Sequence, residues 1–435
     1  MATKTFEIRE DYVTRVEGHA NIWAEVKDGK LTGCKLELPE SPRLFESFAR
    51  GREWWEMHWV MCRICGICSH SHQLTSLRAT ENALGIKISD QTYWLRVLID
   101  DAEQLESHIL HVAYLVAPDL FKAKSALALA AVAPEVVKAA LRLKRLANDM
   151  FLYLTGFEVH CMRMVPGGFT LYPTKDELKI MRQAFDDREK DVMLIVDTVL
   201  SVADKLPNFT RETEYISIKH DKEFPFYDGL TYSSDTQKTY DNMEYEGVVN
   251  EFVVPYSTCK RGKHKRGSFA VGALARCNNN AELLKTGLAA AVAKKFNFKT
   301  PSINPFMNSV AQLVEYALCW ERAKRLLDGF IKNGIQKEEP VKPNFKVAGR
   351  GVGITEAPRG YLVHDYTYDK TGKCIKANCV IPTNLNSGNM EDDMKAIVPQ
   401  LVAEGKSPED IKFILEMLIR AYDPCFSCSV HLIEK

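Results

Sequence analysis

The chain has 435 residues, 46% apolar and 26% charged, and its 57 Lys+Arg balance 57 Asp+Glu to a formal net charge of zero. That balance excludes a bulk electrostatic footprint for nucleic acid or an anionic membrane, and no apolar run approaches the roughly eighteen residues of a membrane span. Twelve cysteines are too few for a disulfide scaffold at this length, and the length itself suggests about three domains.

Residues 1–60 read as β-rich, because 19–27 and 31–39 flank Asp28-Gly29, a hairpin signal. The charged start, MATKTFEIRED, lacks the apolar core of a signal peptide. Residues 61–205 read as helical. Leu74–Leu84, Trp94–Val116, Glu135–Phe157 and Glu177–Lys205 place apolar residues three and four apart, punctuated by Pro118, Pro134 and Pro166. Residues 206–272 turn to Tyr, Thr, Ser and Gly and read as irregular and β. Within them Lys260–Arg266 (KRGKHKR) reads as a solvated or interface loop. Residues 273–335 return to helix through Ala281–Lys295 and Met307–Ile331. Glycines at 349, 351, 353, 360 and 372 give 336–390 β and turn character. Gly349-Arg350-Gly351-Val352-Gly353 has no helix pattern after it, so it is not read as a phosphate cradle. C-terminal helices fill 391–435, the last opened by Ser407 as N-cap, Pro408 at N1 and Asp410 at N3.

Two Cys-x-x-Cys motifs carry the chemistry. One is Cys65-Gly66-Ile67-Cys68, followed by His72; the other is Cys425-Phe426-Ser427-Cys428, followed by His431. A two-residue spacer lets both sulfurs of a turn converge on one metal, and four thiolates suit zinc, iron or nickel. A structural zinc site normally keeps its knuckles some 15 to 20 residues apart, whereas these stand near opposite ends of the chain. A thioredoxin-like redox pair is weak, because no βαβ unit surrounds either motif.

The motifs resemble the N- and C-terminal signatures of the large subunit of nickel–iron hydrogenases, Arg-x-Cys-Gly-x-Cys-x-x-x-His and Asp-Pro-Cys-x-x-Cys-x-x-His. Further elements follow in the family's order. Arg15-Val16-Glu17-Gly18-His19 is similar to its N-terminal element, with one residue fewer between Arg and Glu. Val271–Arg276, Glu356-Ala357-Pro358-Arg359-Gly360 and Val380-Ile381-Pro382-Thr383 resemble later ones. The resemblance runs from about residue 7 to residue 431.

It implies an α+β fold, predominantly helical, with a central bundle of long helices and small peripheral sheets, folded as a single catalytic unit over 1–435. It implies reversible cleavage of dihydrogen at a nickel–iron centre whose iron carries carbon monoxide and cyanide. Cys65 and Cys425 would be terminal nickel ligands, and Cys68 and Cys428 would bridge the metals. The Cys425 sulfur would take the proton and Glu17 would relay it. Arg359 would hang over the metals, Thr383 would donate to cyanide, and His72 would tune a bridging sulfur. A magnesium site would draw on Glu46, the carbonyl of Cys379 and His431. No iron–sulfur spacing remains among the other cysteines, so the electrons would leave through an iron–sulfur small subunit. Beyond it the resemblance implies ferredoxin-, flavin- or nicotinamide-linked partners and a cytoplasmic setting, with neither nucleic-acid binding nor membrane insertion. Ser107 stands where many members carry an aspartate, Cys62 is extra to the motif and reads as a free buried thiol, and Leu432–Lys435 is a short tail. The alternatives are a four-cysteine zinc-stabilised protein and a complex I-like quinone-site subunit, which lacks the cysteine pairs.

Overall fold

The computed structural model describes residues 5–123 and 125–431, so the Leu432–Lys435 tail lies outside the described residues. Strands β1 (Phe6–Glu10), β2 (Asn21–Lys27) and β3 (Lys30–Glu37) form an antiparallel sheet in that order. Asp28 and Gly29 join β2 to β3 at φ of 50° and 75°, the left-handed pair that a two-residue hairpin needs.

Four long helices follow: α1 (Ser69–Leu84), α2 (Asp90–Leu110), α3 (Pro134–Thr155) and α4 (Lys175–Leu200). The helix expected over Trp94–Val116 changes form part-way, because His111–Val116 widens into a π-helical turn. Such turns occur mostly as single-turn bulges inside α-helices. The next stretch holds β4 (Glu214–Lys219), β5 (Leu230–Ser233), β6 (Lys238–Tyr240), β7 (Asn250–Val254), β8 (Ser257–Lys263) and β9 (Phe269–Ala270). They make a four-stranded sheet in the order β9-β4-β5-β6 and a separate β7/β8 pair.

Helix α5 (Ala273–Asn279) is followed by a broken segment, a 3-10 turn at Ala281–Leu284 and a helix at Gly287–Lys295, where one helix was expected. Gly287 at φ 69° separates the two pieces. Helix α6 (Asn308–Asn333) then packs against α2 and α4, and α3 packs against α2 and α4, which completes the central bundle. Strands β10 (Arg350–Ala357), β11 (Gly360–Tyr368) and β12 (Cys374–Val380) form an antiparallel sheet, followed by α7 (Pro382–Ala403), α8 (Pro408–Ala421) and a 3-10 turn at Ser427–Ser429. Ser407 and Asp410 form the capping box expected at α8.

Two expectations need correction. Residues 336–390 are not β and turn throughout, because α7 starts at Pro382, so Thr383 lies in a first helical turn. Its sequence, Asn384-Leu385-Asn386-Ser387-Gly388-Asn389, has low helix propensity, but tertiary partners hold it. Asn386 Oδ1 accepts from Val271 N–H at 2.9 Å, and Asn389 Nδ2 donates to the Tyr422 hydroxyl at 2.6 Å. The basic run at Lys260 is not a solvated loop either, since Lys260–Lys263 form the end of β8 with Lys260 and Arg261 buried. Glu251 meets Lys260 at 3.1 Å and Glu391 meets Arg261 at 2.8 Å. A run of charges does not reveal carboxylates supplied from elsewhere in the fold.

Glycine shapes the approach to the site. A Cβ at Gly351 would overlap the α1 backbone at Ala79 and Ala83, and one at Gly353 would overlap it at Thr75 and Ala79. The glycine-rich segment therefore lets α1 lie directly on β10, which fixes the start of α1, where the first cysteine motif ends.

Candidate metal centre

Cys65 follows a 3-10 turn at Cys62–Ile64 in an extended conformation, and Cys68 is the N-cap residue of α1. Cys425 and Cys428 follow α8, with Asp423 at φ 51° redirecting the chain. Two parallel bridges, Glu17↔Cys425 and Arg43↔His431, stitch the C-terminal motif to the N-terminal segment. Phe426 N–H donates to Glu17 O at 2.9 Å.

These ties gather four sulfurs whose atoms all lie within 4.8 Å of one another, each residue 3% exposed or less. Cys65 Sγ is 2.6 Å from Cys68 Sγ and 3.6 Å from Cys425 Sγ, and the sulfurs of Cys425 and Cys428 are in direct contact. The Cys65 sulfur, then burial, push the Cys68 thiol far up from its usual range. Thiolates packed so tightly need a cation among them. The other cysteines, Cys62 included, are buried and scattered.

The groups around the sulfurs fit a bound centre. Arg359 sits at the tip between β10 and β11, where Ala357 pairs with Gly360. Its Nη1 donates to Ser107 Oγ at 3.1 Å and its Nη2 to Asp423 Oδ1 at 2.9 Å. Its buried Nε–H has no partner among the described residues. Thr383 Oγ1 accepts from Cys425 N–H at 3.0 Å, which leaves its own O–H free to donate. One guanidinium N–H and one hydroxyl proton are thus held ready for acceptors that the protein does not supply.

Glu17 is half-buried beside the second motif, where one oxygen accepts from Ser427 N–H at 3.1 Å and the other from the Ser427 hydroxyl. His72 lies one turn into α1, and its Nδ1 is 3.1 Å from His364 Nε2. His364 Nδ1 in turn lies 2.5 Å from the Tyr366 hydroxyl. Burial lowers both imidazoles, His364 to about 3, so both are neutral.

The three residues expected at a second cation also meet. Glu46 Oε2 is 2.8 Å from His431 Nδ1, while its buried Oε1 accepts no hydrogen bond. Lys260 Nζ stands 3.7 Å from that oxygen and 3.4 Å from the Cys379 carbonyl. Burial pushes the Glu46 carboxyl up, but His431 and Lys260 outweigh it and hold it low. A buried carboxylate oxygen without a hydrogen bond and a nearby carbonyl fit a hard cation. Arg43, three residues before Glu46, spends its guanidinium elsewhere and donates to Ile64 O at 2.6 Å.

Sequence reasoning missed several residues of this site. Asp423 stands inside the quoted motif, yet nothing marked it as the anchor of Arg359. Glu103 and His364 carried no local signal at all, and the signal at Lys260, a basic run, pointed to a loop and not to this site. Beside the first motif, a cleft of about 670 Å³ is lined by Phe45, Phe48, Trp55, Trp59 and Met162 and flanked by Arg63. Phe48 and Trp55 are 55% and 45% exposed, a concentration of aromatic surface typical of protein–protein contacts.

The chain matches known proteins in sequence and in fold along nearly its whole length. The profile of the nickel-dependent hydrogenase family matches residues 43–142 and 178–431. The chain is 31% identical to the alpha subunit of sulfhydrogenase 2 of Pyrococcus furiosus over 424 residues, covering 98% of both. It is 30% identical to a subunit of the F420-non-reducing hydrogenase of Methanothermobacter thermautotrophicus, over 97% of this chain and 94% of that one. The crystal structure of an NAD+-reducing [NiFe]-hydrogenase in the H2-reduced state aligns with a TM-score of 0.88 at 26% identity, over 98% and 99% of the two chains.

Proposed function

The chain belongs to the nickel-dependent hydrogenase family, and from that premise we propose that Cys65, Cys68, Cys425 and Cys428 are the ligands of its nickel–iron centre. The protein is the catalytic subunit of a hydrogenase, an oxidoreductase acting on dihydrogen. The observation that carries the ligand assignment is the meeting of four buried sulfurs from both ends of the chain within 4.8 Å. When bound, the centre supplies a soft, electron-rich site that polarises dihydrogen and stores electrons.

The surrounding residues take the remaining tasks. Cys425 accepts the proton and Glu17, tied through Ser427 to the same loop, passes it on. Arg359 brings a fixed cation and a free N–H to the substrate side. Thr383, whose hydroxyl proton is free, would donate to a cyanide of an iron that carries cyanide and carbon monoxide. His72, neutral and held by His364, orients the start of α1. Glu46, the Cys379 carbonyl and His431 would hold Mg2+, and Lys260 stands 3.7 Å from the Glu46 carboxylate.

Electrons leave to an iron–sulfur small subunit, for which the exposed Phe48 and Trp55 cleft beside the first motif offers a docking face. Further flavin-, nicotinamide- or ferredoxin-linked partners complete the path, in the cytoplasm; the relatives are themselves named as subunits, one of them of an NAD-reducing enzyme. Among the described residues no helix is long and apolar enough to cross a membrane.

Elemental analysis with infrared spectroscopy tests the reading. The expected result is one nickel and one iron per chain, with bands of metal-bound carbonyl and cyanide. Stoichiometric zinc without those bands would overturn it.

A further inference from the structure

We propose that Glu103 is a positioning residue that holds Cys68 at the metal centre and raises the electron density there. A helix begins with unpaired N–H groups, which a Ser, Thr, Asp or Asn at the N-cap usually satisfies. In α1 that position is Cys68, and no side chain of the cap residue bonds the helix. A metal-binding sulfur cannot do both tasks. The duty passes to α2, from which Glu103 reaches across.

One Glu103 oxygen accepts from His70 N–H at 2.9 Å, and the other accepts from both the N–H and the hydroxyl of Ser71. Glu103 is 0% exposed. An anion at a helix N-terminus is favoured by the helix dipole, and three donors from the residues just after Cys68 lock the end of the knuckle.

Burial, then the Glu103 charge, push Asp100 far up, and burial with a contribution from Glu103 raises Glu106. Asp100 is therefore biased towards the neutral form, while Glu106 keeps Lys144 at 2.5 Å. A buried anion next to a cluster of sulfurs is electrostatically costly, but a neutral amide could accept on one side only and would turn its NH2 towards the other donors. The carboxylate thus completes the cap on both sides, and its charge also acts on Cys68, which favours electron donation from the sulfur to the metals.

The inference rests on Cys68 as a metal ligand, so Cys68→Ser is the control: it should lose the nickel–iron centre. The test uses the assembled enzyme and reads the stretching band of the iron-bound carbonyl together with metal content. In Glu103→Gln the band should move to higher wavenumber with metal content unchanged, and hydrogen turnover should fall about tenfold, the size of one charge-assisted hydrogen bond. Ser71→Ala removes one donor from the carboxylate and leaves its charge less compensated, so the band should move to lower wavenumber. A residue that only caps the helix would move neither band. Unshifted bands in both variants, with the centre lost in Cys68→Ser, overturn the inference and leave the ligand assignment standing. A centre retained in full by Cys68→Ser overturns the ligand assignment itself.

Discussion

Replacing Glu17 by glutamine separates bond cleavage from proton exit. In the native site both carboxylate oxygens accept from Ser427, one at 3.1 Å from its N–H. The amide oxygen of glutamine keeps one of these bonds, and its NH2 group faces the other donor. The structural cost is then about 1–3 kcal/mol, to be set against a total stability of about 5–15 kcal/mol. The backbone bond from Phe426 N–H to Glu17 O is independent of the side chain and survives. The variant should therefore fold with full nickel. Its amide cannot accept and release a proton, however, and a positioned acid–base group contributes about 10²–10⁴-fold. In D2O under H2, formation of HD and D2 requires exchange with solvent and should fall about 100-fold or more. Interconversion of ortho- and para-H2 requires only that the bond break and re-form at the site, and it should stay close to the wild-type rate. Solvent exchange within about threefold of wild type, a barrier change of only ~0.65 kcal/mol, would refute the relay. Equal loss of both reactions would place Glu17 in cleavage itself and refute its role in proton exit alone.

Other perturbations probe the rest of the site. Arg359→Lys keeps a charge but loses the fork that engages Ser107 and Asp423 while leaving Nε–H free; hydrogen uptake should fall about 10²–10³-fold at unchanged nickel content, and near-native uptake would remove Arg359 from the reaction. Thr383→Val preserves shape but strands the buried Cys425 N–H, so the denaturation midpoint should fall by the equivalent of about 1–3 kcal/mol; an unchanged midpoint would show that the N–H finds another partner. Burial raises Glu356 to about 7 from its ordinary 4.5. Folded Glu356 holds a proton in that interval and the unfolded chain does not. Its stabilising contribution is thus complete below pH 4.5 and lost as pH rises to about 7. Glu356→Gln should flatten that part of the stability–pH curve, and a slope unchanged in the variant would contradict the assignment.

The parts of the molecule that were legible in the sequence share one property: their signal is local. Asp28-Gly29 announces its hairpin because a two-residue turn admits few residue types, and Ser407-Pro408 announces α8 because a cap acts within one turn. The cysteine knuckles are visible for the same reason, since two ligands from one turn must be closely spaced. What escaped notice depends on partners distant in sequence. Helix α7 looks like a poor helix until Val271 and Tyr422 meet its asparagines. Lys260 looks solvated until Glu251 and the Cys379 carbonyl close around it.

Glu103 is the clearest instance, and it shows how the site and the fold depend on each other. The first motif places a sulfur where α1 needs a cap, so the requirement for a metal ligand creates an unsatisfied helix end. No residue of the motif can mend it, because the N–H groups of His70 and Ser71 point away from their own segment towards α2. The remedy must come from another helix, and β10 with its glycines must hold α1 close enough and still enough for one carboxylate to reach. A ligand motif of four residues thus dictates a buried acid 35 positions after its last cysteine and a bare strand near the other end of the chain. That coupling explains why four sulfurs drawn from both ends of the chain cannot be placed by their knuckles alone: Glu103 and β10 hold the helix on which Cys68 stands.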